Sequence, residues 1–319
     1  MVNEEEKKAI VEELQAEEFK VVPLLEKLAA LIRDENLDKD EVCHVAEDPY
    51  FVRRCLIACL NDEKKAYKVA ATALRWRSKT KPSKITMEDF PIAASQNTFS
   101  LSTHAKNGWP VVFCYAVKWN PWRYGTAEYS RMMTYIMEAC EAAMDPSDPY
   151  ARIYFVFDMK NMSKLNADLR KIGEATKFAA SYYPERIMAM AINSDWLTFA
   201  LWNFMKPLID KRTADRVNLV REAGLDVLED CIGLHKIGPS IGGTRSEEWP
   251  PLSAQCRGHF RWGVDVTGTS SIATSTVLKH QETDDTEISV VEEDAQLPGP
   301  VVVQGENFGK CSTSLIHTR

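Results

Sequence analysis

Two stretches of this sequence are strand-length runs made almost wholly of apolar residues: Pro110 to Val117 reads Pro-Val-Val-Phe-Cys-Tyr-Ala-Val, and Arg152 to Met159 reads Arg-Ile-Tyr-Phe-Val-Phe-Asp-Met, apolar without a break from Ile153 to Phe157. A strand with no polar face has to be covered on both sides, as in parallel sheets flanked by helices. Between the two runs, Thr126 to Met144 places Tyr129, Met132, Met133, Ile136, Met137 and Cys140 at helical spacing. Strand, helix and strand in that order predict a crossover unit of an α/β sheet.

The pattern continues downstream. A helix from Ser163 to Tyr182 leads through Tyr183-Pro184 into a third strand, Arg186 to Ile192, and a short fourth strand at Arg216 to Val220 precedes a helix reaching about Cys231. Upstream the texture is all helical, with segments at Glu4–Phe19, Pro23–Asp34, Asp38–Ala46, Tyr50–Leu60 and Glu63–Arg77. The last of these has Ala66, Ala70, Ala73 and Leu74 along one face and Lys64, Lys65 and Lys68 on the other, with Asn61 or Asp62 as its N-cap. Pro82 closes this part. The expected organisation is a helical N-terminal module over residues 1–84, an α/β domain over 85–250, and a tail over 251–319. That tail is rich in Ser and Thr and then acidic from Glu282 to Asp294. It has too little apolar surface to fold alone and is expected to be largely disordered.

Trp196 to Pro207 has no polar face at all: Trp196, Leu197, Phe199, Ala200, Leu201, Trp202, Phe204 and Met205 surround the helix. Such a helix is buried on every side, or it covers a lipid and meets a membrane. It does not span one, because Asn193-Ser194-Asp195 interrupts the apolar stretch from Ile187 to Met205. The same polar triplet before it and Lys206-Pro207 after it supply a hinge and a stop.

Composition narrows the function. At 45% hydrophobic and 27% charged residues with a formal net charge of -7, the chain is no phosphate neutraliser, and nucleic acid is excluded as an expected partner. The N-terminus has no leader-like basic, apolar and small-residue succession, so a cytoplasmic protein is expected. Eight cysteines stand at 43, 55, 59, 114, 140, 231, 256 and 311 with no metal or redox spacing, and are read as reduced core thiols. Gly-x-Ser-x-Gly, His-Glu-x-x-His and Gly-x-Gly-x-x-Gly motifs are all missing, and Gly305 to Lys310 is one residue short of a phosphate loop. Asp158, at a strand end, is read as a turn cap toward Asn161. No catalytic residue, metal or cofactor is expected, and the chain is not expected to be an enzyme.

Several segments together resemble one family. Asn61-Asp62-Glu63-Lys64-Lys65-Ala66 and Arg75-Trp76-Arg77 resemble the end of the helical module that precedes CRAL-TRIO domains. Asn107-Gly108-Trp109-Pro110-Val111 is similar to that family's Gly-Arg-Pro-Val, with Trp109 in place of Arg. From Tyr182 onward, Tyr-Tyr-Pro-Glu-Arg, Ile192-Asn193-Ser194-Asp195, Lys206-Pro207-Leu208-Ile209-Asp210 and Thr213 with Arg216-Val217 follow the family's blocks in order and spacing, and Gly242-Gly243-Thr244 matches its closing glycines. The resemblance to the CRAL-TRIO (Sec-fourteen-like) lipid-binding family covers roughly residues 45 to 245.

It implies a mixed β-sheet flanked by helices that floors a deep apolar pocket, with a mobile lid helix, by position Trp196 to Met205. Members that bind phosphatidylinositol use a Glu, a basic residue after Thr-x-x and a second basic residue in the helical module. Glu185 and Arg216 fill the first two positions, while Cys59 stands at the third. Glu185 has another reading, as a structural ion pair with Arg216 or Arg186. The strand residues Ile153 to Phe157 are bulky and greasy, favouring a ligand with little or no polar head, such as a sterol, tocopherol, retinoid or terpenoid, or a narrowed pocket that has lost transfer. Phe113, Tyr115, Phe155, Phe157, Ile192, Trp196 and Phe199 are expected to line one cavity of roughly 300 Å3 or more, with Glu185 and Arg216 at one end. The expected partners are a lipid or other hydrophobic ligand, a membrane surface touched transiently and peripherally, and protein partners of the C-terminal tail. An adaptor that docks membranes or proteins without transferring lipid is the alternative.

Overall fold

The N-terminal helices are α1 (Glu18–Asp34), α2 (Lys39–Ala46), α3 (Pro49–Ala58) and α4 (Glu63–Thr80), and aspartates start the last three. Asp38 accepts from the Asp40 amide, Asp48 from Tyr50 and Phe51, and Asp62 from Lys65, so three of the four helices have their first free N–H groups satisfied by a side chain. Leu24, Leu28, Val42, Phe51, Leu56 and Leu74 fill the core of this bundle, and Ala66, Ala70 and Ala73 let α4 approach closely. The computed structural model describes residues 18–252, apart from 146, 147, 149, 150 and 210, all within one compact unit. The first part of the expected Glu4–Phe19 helix and the tail beyond 252 lie outside the described residues.

Then follow α5 (Pro91–Ser95), β1 (Phe99–His104), β2 (Pro110–Tyr115), α6 (Thr126–Ala142), β3 (Ile153–Asp158), α7 (Leu169–Tyr182) and β4 (Ile187–Ile192). The chain continues through α8 (Trp196–Met205), α9 (Lys211–Ala214), β5 (Val217–Leu219) and α10 (Leu225–Cys231). The five strands lie in sequence order; β1 is antiparallel to β2, and the other three pairs are parallel. The α/β architecture and the crossover from β2 through α6 to β3 hold as predicted. Strand β1 is not among the predicted strands, and its alternate positions Ser100 and Ser102 are polar. Both are buried, and their hydroxyls donate to the carbonyls of Pro250 and Val111.

The sheet separates two cores. Val112, Cys114, Ile153 and Phe155 face α6 and α7, with Phe157 and Ile187 packed partly against the same cluster. Val111, Phe113, Tyr115, Tyr154, Val156, Met190 and Ile192 face the other way, onto Leu228 of α10, Ile237, Ile241 and Trp249. That second core is closed at Gly242 and Gly243. Gly242 has a left-handed φ of 97°, and a Cβ at Gly243 would overlap the Ile237 carbonyl.

Trp76 joins the bundle to the sheet. Its ring stacks on Tyr182 at 4.3 Å and meets Phe178 and Tyr183 edge-on at 5.6 and 5.9 Å. Beside it, Arg77 pairs with Glu138 at 2.7 Å and Arg186 with Glu141 at 2.9 Å. Burial opposes ionisation of Glu141, yet Arg186, Arg54 and Arg77 outweigh it and hold the carboxyl below its ordinary value of 4.5. A carboxyl that titrates lower when folded contributes stability above the unfolded value and loses it as the pH falls through the folded one. Thermal melts across pH should show stability declining below about pH 4.5, and Glu141→Gln should be less stable than the parent at pH 7 while losing less on acidification. Parallel curves for the two proteins would show that Glu141 takes no part.

Candidate functional site

Along β4 the side chains facing α7 and α8 shrink to Ala189 and Ala191, whereas the neighbouring strand β3 presents Phe155 and Phe157 on that face. The missing volume is a cavity of about 310 Å3. Phe155 and Phe157 form a stacked pair on its floor, with centroids 6.1 Å apart. Ile172, Ala175 and Ala179 of α7 make one wall, and Thr198, Leu201, Trp202 and Met205 of α8 make the roof. These four roof positions have the i, i+3, i+4, i+7 spacing of one helix face. The outer face leaves Trp196 74% and Phe204 61% exposed.

Of the residues expected to line the cavity, Phe155, Phe157, Glu185 and Arg216 do so; Phe113, Tyr115, Ile192, Trp196 and Phe199 do not. The strand period of two explains the first three. Phe113 is in register with Val156, while Cys114 pairs with Phe157, so Cys114 takes the cavity side and Phe113 and Tyr115 pack behind the sheet. Ile192 stands opposite Asp158, on that same reverse face. Trp196 points outward, and Phe199 lies half-buried beneath the Arg221 guanidinium, 4.9 Å from its ring centroid. A helix apolar on all sides carries no pattern from which its inner face can be read, and Thr198 faces inward although it is polar.

At one end the cavity becomes charged. Glu185 sits just before β4 in a left-handed conformation, φ 63°, which is rare for a residue with a side chain and marks a position held by its surroundings. Its carboxylate, 7% exposed, is hydrogen-bonded by Arg216, just before β5. Arg212 Nε lies 3.5 Å and Arg152, just before β3, lies 3.8 Å from the same carboxylate. Arg152 Nε also donates to the Glu185 carbonyl at 3.2 Å. Arg186 takes no part, since it bonds Glu141 and the Ala151 carbonyl. Burial, then the charge of Arg216, lower Arg152 to about 10 even though Glu185 acts to raise it. Arg212 Nε is buried without a hydrogen bond. At the far end, Asp158 accepts from the Lys160 amide and from Asn193 Nδ2, bracing the ends of β3 and β4 where a cap toward Asn161 was expected.

Residues 95–243 match the sequence pattern of the CRAL/TRIO domain. Residues 95–243 are a CRAL/TRIO domain. The crystal structure of Sfh5 superposes with a TM-score of 0.58 at 16% identity, over 76% of this chain and 93% of that one, a likeness of fold. No curated protein sequence matches. At the level of the family, a CRAL/TRIO domain binds lipids or other hydrophobic ligands.

Within this CRAL/TRIO domain, Arg152 and Arg212 escaped the sequence reading. The signal for Arg152 was positional: Arg152 and Arg216 immediately precede strands and Glu185 stands two residues before one, and parallel strands bring their beginnings together. The Cys59 thiol is raised by burial and further by Asp62 and Glu185, which places it within electrostatic reach of the cluster. Face assignment is open to direct test by denaturant unfolding. Phe113→Ala, in solid core, should cost about 3–5 kcal/mol, and Phe157→Ala, beside empty space, well under half of that. Equal losses would refute the division of the sheet into a solid and a hollow face.

Proposed function

We propose that this CRAL/TRIO domain holds one amphiphile, with an anionic head group on Arg152, Arg212 and Arg216 and its apolar body along Phe155, Phe157 and Trp202, and that it carries or presents this ligand without converting it. The observation that supports this most is three guanidiniums gathered on the Glu185 carboxylate, which with Arg216 lines one end of a largely apolar cavity, Arg152 and Arg212 standing behind them. Partly buried cations in excess are costly, and a phosphate would offset that cost through charge-assisted hydrogen bonds. Glu185 then accepts from a head-group hydroxyl, which makes an inositol phospholipid the natural candidate. The phenylalanine floor keeps the cavity slim, so a two-chain lipid enters with α8 displaced.

The roof helix supplies that motion. Asp195 caps α8 and Pro207 follows it, so the segment swings as a unit, and a bilayer accepts Trp196 and Phe204 when it does. In this reading membrane contact favours the open form and solution the closed one.

Native mass spectrometry of the purified chain should show a bound lipid; a lipid-free protein that also fails to extract lipid from vesicles would leave an adaptor role. Arg216→Ala should weaken binding of phosphatidylinositol about tenfold. Glu185→Ala should weaken it too, while sparing anionic lipids that lack ring hydroxyls. Unchanged extraction by both variants would reduce the cluster to a structural ion pair.

The two faces of α8 should separate. Trp196→Ser with Phe204→Ser is expected to slow ligand exchange from vesicles and leave the bound lipid in place. Trp202→Ser is expected to reduce lipid retention in solution. If the outer-face variant exchanges lipid at the parent rate, α8 is not the gate.

A further inference from the structure

Strands β2, β3 and β4 end in register, with Tyr115 beside Asp158 and Asp158 beside Ile192. The segments that follow them therefore emerge at one edge of the sheet, opposite the arginine cluster. Two of these segments hold large apolar side chains out in solvent. Trp122 is 65% and Leu165 75% exposed, with Val117 exposed alongside. They are fixed there: Trp122 Nε1 donates to the Leu165 carbonyl at 3.1 Å, and Asn166 Nδ2 donates to the carbonyls of Val117 and Trp119 at 3.1 and 2.7 Å. Beneath them the buried Lys171 ammonium donates to the carbonyls of Pro121 and Tyr124. Rings displayed on a braced loop gain nothing for folding.

The charge around them is one-sided. Segments 117–123 and 160–170 carry Lys118, Arg123, Lys160, Lys164 and Arg170, all exposed, in a chain whose formal net charge is -7. Their one carboxylate, Asp168, is buried and accepts from the amides of Arg170 and Lys171 at the start of α7. Trp119, Asn166, Ala167 and Leu169 of the same segments line the cavity, so this rim borders its apolar end. Trp196, which begins α8, follows β4 at the same edge.

We infer that this rim is a fixed docking surface for an anionic phospholipid bilayer, in which Trp122 and Leu165 enter the head-group region and Lys118, Arg123, Lys160 and Lys164 meet lipid phosphates. Exposed aromatic and aliphatic side chains ringed by lysine and arginine are what an anionic interface binds. The surface is distinct from the moving helix, and it turns the tail end of the cavity toward hydrocarbon. It deepens the ligand reading above and rests on it for its purpose, but vesicle binding is measured separately from lipid content.

The test is co-sedimentation of the full chain with vesicles of phosphatidylcholine alone and with about 30% phosphatidylserine. Binding should be at least about tenfold stronger on the anionic vesicles. Trp122→Ser with Leu165→Ser should lose about tenfold on both. Lys118→Glu with Lys164→Glu should abolish the preference for phosphatidylserine, and it keeps the proposal testable if the serine pair folds poorly. Lipid content by native mass spectrometry should stay at the parent level in both variants, whereas Arg216→Ala should lose lipid and still sediment. Parent-like sedimentation of both variants, or no preference for anionic vesicles, would overturn the proposal. So would a concentration-dependent dimer that the serine pair abolishes in a chain that binds no vesicles.

Discussion

The fold depends on the alternation of β3. From Ile153 to Phe157, successive side chains point to opposite faces, and the parallel register on both sides carries that division into β2 and β4. On the reverse face Tyr154 and Val156 meet Phe113, Met190 and Ile192 in solid packing under α10. On the other, Phe155 and Phe157 stand beside Ala189 and Ala191, and the difference in side-chain volume becomes the cavity. A slip of one residue in β4 would fill the hollow face with Met188, Met190 and Ile192 and empty the other.

Parallel strands also give the cavity its polarity. Their beginnings lie at one edge and their ends at the other, so Arg152, Glu185 and Arg216 meet although whole helices and loops separate them in sequence. Sites in open α/β sheets usually form at strand ends, at the carboxyl edge. Here the charged group forms at the amino edge, while the carboxyl edge carries the exposed Trp122 and Leu165. A ligand with unlike ends suits a cavity with unlike ends, and the family's hydrophobic-ligand binding supports that direction of reasoning.

The helical bundle is held by a different kind of contact. Trp76 lies among Phe178, Tyr182 and Tyr183, so the last turns of α4 and α7 share one aromatic cluster. Arg77 and Glu138 add a nearly dry ion pair at its edge. Together they account for Arg75-Trp76-Arg77 as a structural element: Arg75 pairs outward with Glu35, Trp76 enters the core, and Arg77 reaches α6.

The sequence alone determined the order of elements, because continuous apolar runs and helical spacing are local properties that survive without knowing what lies opposite. Pro110–Val117, Arg152–Met159 and Thr126–Met144 were legible for that reason, as was the apolar helix beginning at Trp196. Glu185 and Arg216 were legible only through resemblance to a family. Tertiary structure alone decided which face each strand residue takes, since Phe113 and Phe155 are identical in type and differ only in register. It also decided that Thr198 and Trp202, not Trp196 and Phe199, look inward. Arg152 joined Glu185 through the parallel pairing of β3 with β4, and Arg212 reaches it from α9, contacts for which no local pattern exists.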